Sequence, residues 1–424
     1  MKRKVWAGAA AALAGALALS ACGNGNDTSN GPISLRMTVW TANEAHLALF
    51  KEIADEYIAA HPNVASITFD PLPFDTYTTA LTTQIAGGNA PDLAWIFENS
   101  APDFVTSGAL VPLSAKLSSM DGYEYDDLAE APLRLWQHEG ELYAYPFSTS
   151  PFGMFVNNDL LAAAGQPTAA ELVAAGEWTW DRVIEAAAAV HAATGKTGLV
   201  IRDFEYRNWD NLSTFFGGWG AKAWSEDGSR CGFTDPEMVE AMTTLHEAIF
   251  VKQALPGPGT TADFFAGEAA MTVTQISRAS LLDDSFAWDL VPLPAGPAGQ
   301  YAVIGQAGLG VLKQSAHADV AVDFLAFFTN PENSAKLAQF FPPPRQSLLN
   351  AETLAKTNPK LTPEQLQTVV IDGISTGVVK PSHAGAAELA QEVRAALDPL
   401  WTPDADVASV LADVCSRIQP LLAD

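Results

Sequence analysis

The segment from Ile33 to Phe97 constrains the fold more than any other part of the chain. Ile33, Leu35, Met37 and Val39 alternate with Ser34, Arg36 and Thr38, the period-two pattern of a half-buried strand. Leu49, Phe50, Ile53, Tyr57 and Ile58 then share one helical face. Val64, Ile67 and Phe69 predict a second strand, and Tyr77, Leu81 and Ile85 a second helix that stops at Gly87-Gly88. Leu93 to Phe97 is a third, continuously apolar strand. A β-α-β-α-β opening of this kind predicts a mostly parallel, open, doubly wound sheet. Ligands of such sheets sit outside the carboxyl ends of the strands. That rule selects Trp40 to Glu44 after the first strand and Phe97 to Ser100 after the third.

A chain of 424 residues exceeds what one hydrophobic core organises, so more than one domain is expected. The later sequence keeps the α/β character without an internal repeat. Thr179-Trp180-Asp181 opens a helix that ends at Gly195, and Thr234 with Glu237 has capping-box spacing before Val239, Met242, Leu245 and Ile249. Val320, Phe324, Phe327 and Phe328 predict another helix, and Val407, Val410, Leu411 and Val414 a C-terminal one. The formal net charge of -26 argues against nucleic acid and against anionic membrane surfaces as partners.

The first residues set the compartment. Lys2, Arg3 and Lys4 precede an apolar run from Val5 to Ala18, which has the length of a signal-peptide core and is short for a membrane span. The run ends in Leu19-Ser20-Ala21-Cys22, which resembles the bacterial lipobox. Residues 1–21 are therefore expected to be removed and Cys22 to carry lipid, with 22–32 as a flexible tether rich in Gly, Asn and Ser. Two acyl chains suffice for stable anchoring. Of the three cysteines, Cys231 and Cys415 remain; in an exported chain they form one long-range disulfide or stay as two separate buried thiols.

Several phrases in order resemble the family 1 extracellular solute-binding proteins of ABC transporters, which include the maltose-binding proteins. They are Gly87-Gly88-Asn89-Ala90-Pro91-Asp92-Leu93, Gly140 to Phe147, Phe155-Val156-Asn157-Asn158-Asp159-Leu160-Leu161, Thr179-Trp180-Asp181, Phe265-Ala266-Gly267-Glu268-Ala269-Ala270-Met271, and Val291 to Pro297. The resemblance runs from about Ile33 to the C-terminus. It implies a two-lobed, type II periplasmic-binding-protein-like fold, each lobe a mostly parallel sheet flanked by helices and joined by a hinge. The expected boundaries are 33–146 with 273–313 for the first lobe and 147–272 with 314–424 for the second. It also implies a small-molecule carbohydrate ligand, ABC permease subunits as partners, a monomer, and a location outside the cytoplasm on the cell membrane.

A sugar needs flat aromatic faces and hydrogen-bonding groups around its rim. Trp40, Asn43 and Glu44 follow the first strand, and Phe97, Glu98 and Asn99 close the third. Trp40 is either a stacking face or an inward core residue; Glu98 and Asn99 are either hydroxyl partners or a solvated loop. Ser150 lies where some relatives carry an acid. Tyr206 and Trp209 stand where relatives supply stacking rings, with core packing as the alternative. Gln275, Ser277 and Arg278 follow the strand after Met271, where maltose binders carry tryptophans, so a small sugar is favoured over a long maltodextrin. Gln306 sits on the final cleft loop, and Arg345, after three prolines, either reaches the cleft edge or, as expected, forms a solvated salt bridge. Arg202 or Arg278 in the cleft would instead suit a phosphate, which keeps glycerol phosphate and polyols open as ligands. A surface-tethered glycoside hydrolase is the rival from another class.

No cofactor or metal is expected. Ala192 to Thr197 ends like a P-loop, but Val190 stands where its first glycine belongs; His246-Glu247 is followed by Phe250 where a zincin needs histidine.

Overall fold

The structure is a computed structural model, and it describes residues 31–202, 209–257 and 262–422. Among these residues nine strands build one sheet: β1 (Ile33–Val39), β2 (Val64–Pro71), β3 (Leu93–Phe97), β4 (Ala144–Asn157), β5 (Thr197–Ile201), β6 (Ala269–Gln275), β7 (Trp288–Val291), β8 (Val303–Val311) and β9 (Val378–Val379). Their main order is β2-β1-β3-β8-β4-β6-β5, with β9 beside β8 and β7 beside β4. The pairs β1–β2, β1–β3 and β5–β6 run parallel. The long crossing strands β4 and β8 pair antiparallel with each other and with their neighbours β6 and β3.

The opening segment folds as its pattern requires. Leu35, Met37 and Val39 point into the core, and helix α1 (Glu44–Ala60) buries Leu49, Phe50, Ile53, Ala54 and Tyr57. The Pro91-Asp92 phrase has a structural task. Asp92 accepts from the Arg36 backbone N–H at 2.8 Å and from Ser315 Oγ at 2.5 Å, fastening the start of β3 to β1 and to the end of β8. The Asn157-Asn158-Asp159 phrase works in the same way. Asn157 Oδ1 caps the next helix through Leu160 N–H at 3.1 Å, and Asp159 accepts from Ala287 N–H at 3.1 Å. Gly195 ends its helix in the left-handed region at φ 70°, so the Gly-Lys-Thr sequence is a helix stop. One helix begins a residue later than its spacing predicts: Asp235 is the N-cap and Pro236 the first helical residue of Pro236–Phe250. Proline fits there because its missing N–H would have no intrahelical partner.

Two large cores define two lobes. The first gathers β1 to β3, α1, the segment 104–147, the later half of β8 and the helix Ala318–Phe328. The second gathers the later half of β4, β5, β6, the helix Trp180–Thr194 and residues 389–422. A smaller core around Phe155, Phe264, Leu290 and Ile374 lies beside it. Two boundaries therefore move. Residues 273–291 belong with the second lobe, because β6 and β7 pair with the second half of β4. Residues 318–337 belong with the first, because Phe324 and Phe328 pack on Tyr57 and Phe50 at 5.2 and 5.6 Å. An apolar stripe tells that a helix is buried, not which sheet buries it.

Cys231 and Cys415 are joined by a disulfide with Cα atoms 5.5 Å apart, which holds the C-terminal helix Val407–Leu422 against the second lobe. Arg345 departs from expectation. It is fully buried: Nη2 and Nε donate to Thr329 O at 2.8 and 3.1 Å, Nη1 donates to Glu124 O at 3.2 Å, and the guanidinium lies 4.8 Å over Tyr123. Nη1 also lies 3.5 Å from Asp127 Oδ2, so the expected salt bridge is present but buried, with carbonyls and an aromatic face in place of water.

His46, near the start of α1, is wedged between Phe340 and Phe341 at 4.4 and 4.9 Å, and its Nδ1 lies 3.0 Å from Thr41 Oγ. Burial lowers its pKa from 6.5 to about 4. Between those values the unfolded chain binds a proton that the folded chain does not, so stability falls as pH drops through that window. Replacing His46 with Gln should shrink the loss of melting temperature between pH 7 and pH 4.5. Parallel pH profiles for the two proteins would contradict this.

Candidate functional site

The site lies where β4 and β8 pass from one lobe to the other. In the crossing ladder Gly305 faces Ser150 and Gln306 faces Thr149. Gly305 leaves room for the Gln275 side chain as it is placed: a Cβ there would stand 2.4 Å from the Gln275 amide nitrogen and displace it. Gln275 in turn accepts from the Arg202 guanidinium. Ser150 Oγ accepts from the Ser277 backbone N–H at 3.3 Å. These residues make the floor.

The first-lobe wall comes from the carboxyl ends of β1 and β3, which are neighbouring parallel strands. That adjacency stacks Trp40 on Phe97, with centroids 4.3 Å apart and planes 19° from parallel. Phe74, half exposed, meets Phe97 edge-on at 4.9 Å. Glu98 turns inward and is buried. Its Oε2 accepts from the Gln306 backbone N–H.

The second-lobe wall is the turn Trp209–Leu212. Trp209 is 5% exposed and packs on Trp224 and Phe233 at 6.0 and 5.7 Å. It packs in the second core, as the packing alternative expects, and also lines a small cavity beside this turn. Asp210 and Asn211 follow it.

Lys380 joins the two walls. Its Nζ lies 2.7 Å from Glu98 Oε1, 2.7 Å from Asp210 Oδ2 and 3.2 Å from Asn211 Oδ1. Burial pulls the ammonium pKa down, but the Asp210 and Glu98 carboxylates outweigh it and the net shift is upward, so Lys380 stays charged. Burial pushes Glu98 up, and the Lys380 charge opposes that rise. A cavity of about 40 Å³ remains beside this junction, lined among others by Asn99, Trp209, Asp210, Trp224, Ser382 and His383.

The structure therefore brings together Trp40 with Phe97, Glu98 with Gln306, and Asn99 with Trp209. Asn43 is spent on the α1 cap, accepting from Ala45 and His46 N–H at 2.9 and 3.4 Å, and Glu44 is exposed in the first helical turn. Arg278 turns aside to the face of Phe265, 5.2 Å from its centroid. Tyr206 and Cys22 lie outside the described residues. Asp210, Asn211, Trp224, Lys380 and His383 were not foreseen. Asp210 and Asn211 directly follow Trp209 and were readable as part of its turn; nothing local marks Lys380. Among the described residues no group of three or more His, Cys, Asp or Glu is placed to hold a metal ion.

The profile of the bacterial extracellular solute-binding proteins matches residues 41–335. The chain belongs to this family. As a solute-binding protein of the ABC-importer type it is 26% identical over 340 residues to an uncharacterized lipoprotein of Streptomyces antibioticus, covering 76% of this chain and 72% of that one. It is 25% identical over 306 residues to a lactose-binding protein of Rhizobium radiobacter, covering 68% and 69%. Among solved structures it is similar to the Listeria monocytogenes substrate-binding protein in complex with cycloalternan, with TM-score 0.78, 22% identity, and coverage of 92% and 98%. The maltose-bound Thermotoga maritima protein gives TM-score 0.77 at 20% identity, covering 92% and 99%. These likenesses establish the two-lobed type II architecture.

Because Trp209 serves core and cleft together, Trp209→Ala should cost about 3–5 kcal/mol of stability as well as ligand affinity. Urea denaturation checks this; an unchanged midpoint would show the ring to be a cleft residue alone.

Proposed function

We propose that this solute-binding protein is exported, anchored at the cell surface through lipid on Cys22, and captures a small uncharged saccharide between its lobes for delivery to a membrane permease. The observation that carries the ligand class is the pairing of buried acids with aromatic rings at one junction. Glu98 and Asp210 supply strong acceptors for sugar hydroxyls, and charge-assisted bonds of this kind are about twice as strong as neutral ones. Asn99, Asn211 and Gln306 add neutral donors and acceptors. Trp40 with Phe97 on one wall and Trp209 with Trp224 on the other offer faces for the ring's C–H surfaces. Ser150, Gln275 and Ser277 edge the floor, while Asn43, Glu44 and Arg278 stand farther out. A phosphate would meet two carboxylates, whose shared cation is already bonded to both.

The names of relatives point the same way: lactose for the Rhizobium radiobacter protein and arabinooligosaccharide for one from Bacillus subtilis. Ligand pockets usually run to roughly 300–1,000 Å³. The cavity here is about 40 Å³, so a sugar enters only when the lobes part, and their reclosure then buries it. Periplasmic binding proteins are the standard example of hinge closure. The ligand must favour the closed form to drive it.

Thermal-shift screening of mono-, di- and trisaccharides, polyols and glycerol phosphate should find stabilisation by a neutral saccharide. Trp224→Ala, at the half-buried rim, should weaken that saccharide roughly tenfold by calorimetry, the value of about 1–1.5 kcal/mol for a lost ring contact. Stabilisation by glycerol phosphate alone, or turnover of any saccharide, would refute the reading. For the anchor, Cys22→Ala should move the protein from the membrane fraction to the soluble fraction of expressing bacteria. Continued membrane association would remove the lipid from the account.

A further inference from the structure

We propose that Lys380 is the positioning residue of the cleft: it ties Glu98 of the first lobe to Asp210 of the second and so sets how readily the lobes close. The inference rests on reading the cleft as the binding site only for its consequence on affinity; the tie itself is independent of any ligand.

Three observations carry it. An ammonium has three protons and no acceptor, and Lys380 meets three oxygens, from Glu98, Asp210 and Asn211. Those oxygens belong to both lobes: Glu98 directly follows β3 of the first core's sheet, whereas Asp210 and Asn211 lie on the turn that carries Trp209 of the second core. Lys380 itself is not on a loose arm. It directly follows β9, whose Val378 and Val379 pair with Val303 and Ile304 of β8, and it precedes Pro381.

The electrostatic consequence follows. All three charged side chains are about nine-tenths buried, where salt screens weakly. With the lysine in place the two carboxylates converge on one cation. Without it, two like charges face each other across the closing lobes, and separation is their relief. The trio sets two carboxylates against one ammonium, so it is a poor seat for an anion. Asp210 Oδ2 holds the lysine at the edge of the residual cavity.

Small-angle scattering without added sugar, on wild type, Lys380→Met, Lys380→Arg and Glu98→Gln, tests the tie. Wild type and Lys380→Arg should give the smaller radius of gyration; Lys380→Met and Glu98→Gln should give a larger one. Glu98→Gln removes the charge at the first-lobe end, keeps a carbonyl oxygen for Gln306 N–H and leaves Lys380 on Asp210, so it decides the matter if Lys380→Met does not fold by circular dichroism. Equal radii in all four proteins would overturn the proposal. Calorimetry with maltose and lactose then separates positioning from contact. A closure effect lowers the apparent affinity of Lys380→Met for every bound saccharide by one common factor, expected at tenfold or more. Unequal factors would make Lys380 a ligand contact and overturn its positioning role. If neither sugar binds wild type, the saccharide reading is what suffers, and the scattering result still decides the tie.

Discussion

The antiparallel pairing of β4 with β8 is the interaction on which the rest hangs. From Ala144 opposite Gly310 to Pro151 opposite Ile304, one ladder runs through both lobes. Ala144, Tyr145 and Phe147 of β4 pack in the first core, and Phe152, Met154 and Val156 in the second. Each lobe thus adds its own parallel strands and helices to one end of a shared spine. The candidate site forms where the spine changes hands, because there Glu98 of the first lobe and Asp210 of the second come within bonding reach of one lysine.

That location explains an otherwise costly choice. Removing three charged groups from water is expensive, and well-packed apolar residues often serve stability as well or better. Local rules of this sort are broken where binding requires it. Here the acids sit beside aromatic rings and at the strand ends where open α/β sheets take ligands. The same geometry accounts for Gly305, which has no side chain so that Gln275 can lie against the backbone.

Much of this was legible in the residues. The alternation of Leu35, Met37 and Val39 and the apolar run at Leu93 to Phe97 specify the first lobe's opening, because burial on a sheet imposes those periods. The strand-end rule led to Glu98; Gln306, expected on a cleft loop, lies inside β8, where its backbone N–H bonds Glu98. What escaped was long-range pairing. Lys380 follows two valines in an unremarkable phrase, and its partners stand 282 and 170 positions away. Arg345 looked like surface because a lone arginine after prolines gives no hint of the carbonyls of Thr329 and Glu124 that surround it. The lobe assignment of residues 318–337 failed for a related reason: Phe324 and Phe328 state burial, whereas their partners Tyr57 and Phe50 are chosen by the folded topology.

Arg345 also bears on how the molecule bends. The chain crosses between lobes a third time just before it, and Pro342 O there accepts from both Thr149 N–H at 2.9 Å and Thr149 Oγ at 2.7 Å. Thr149 is the residue facing Gln306, so three passes of the chain are fastened at one level, and the arginine nails the third to the first lobe. Under the proposed closure, a joint pinned this way turns without sliding, so Glu98, bonded to Gln306 at the pivot, travels little, and Asp210 of the Trp209 turn parts from it only as far as Lys380 lets go.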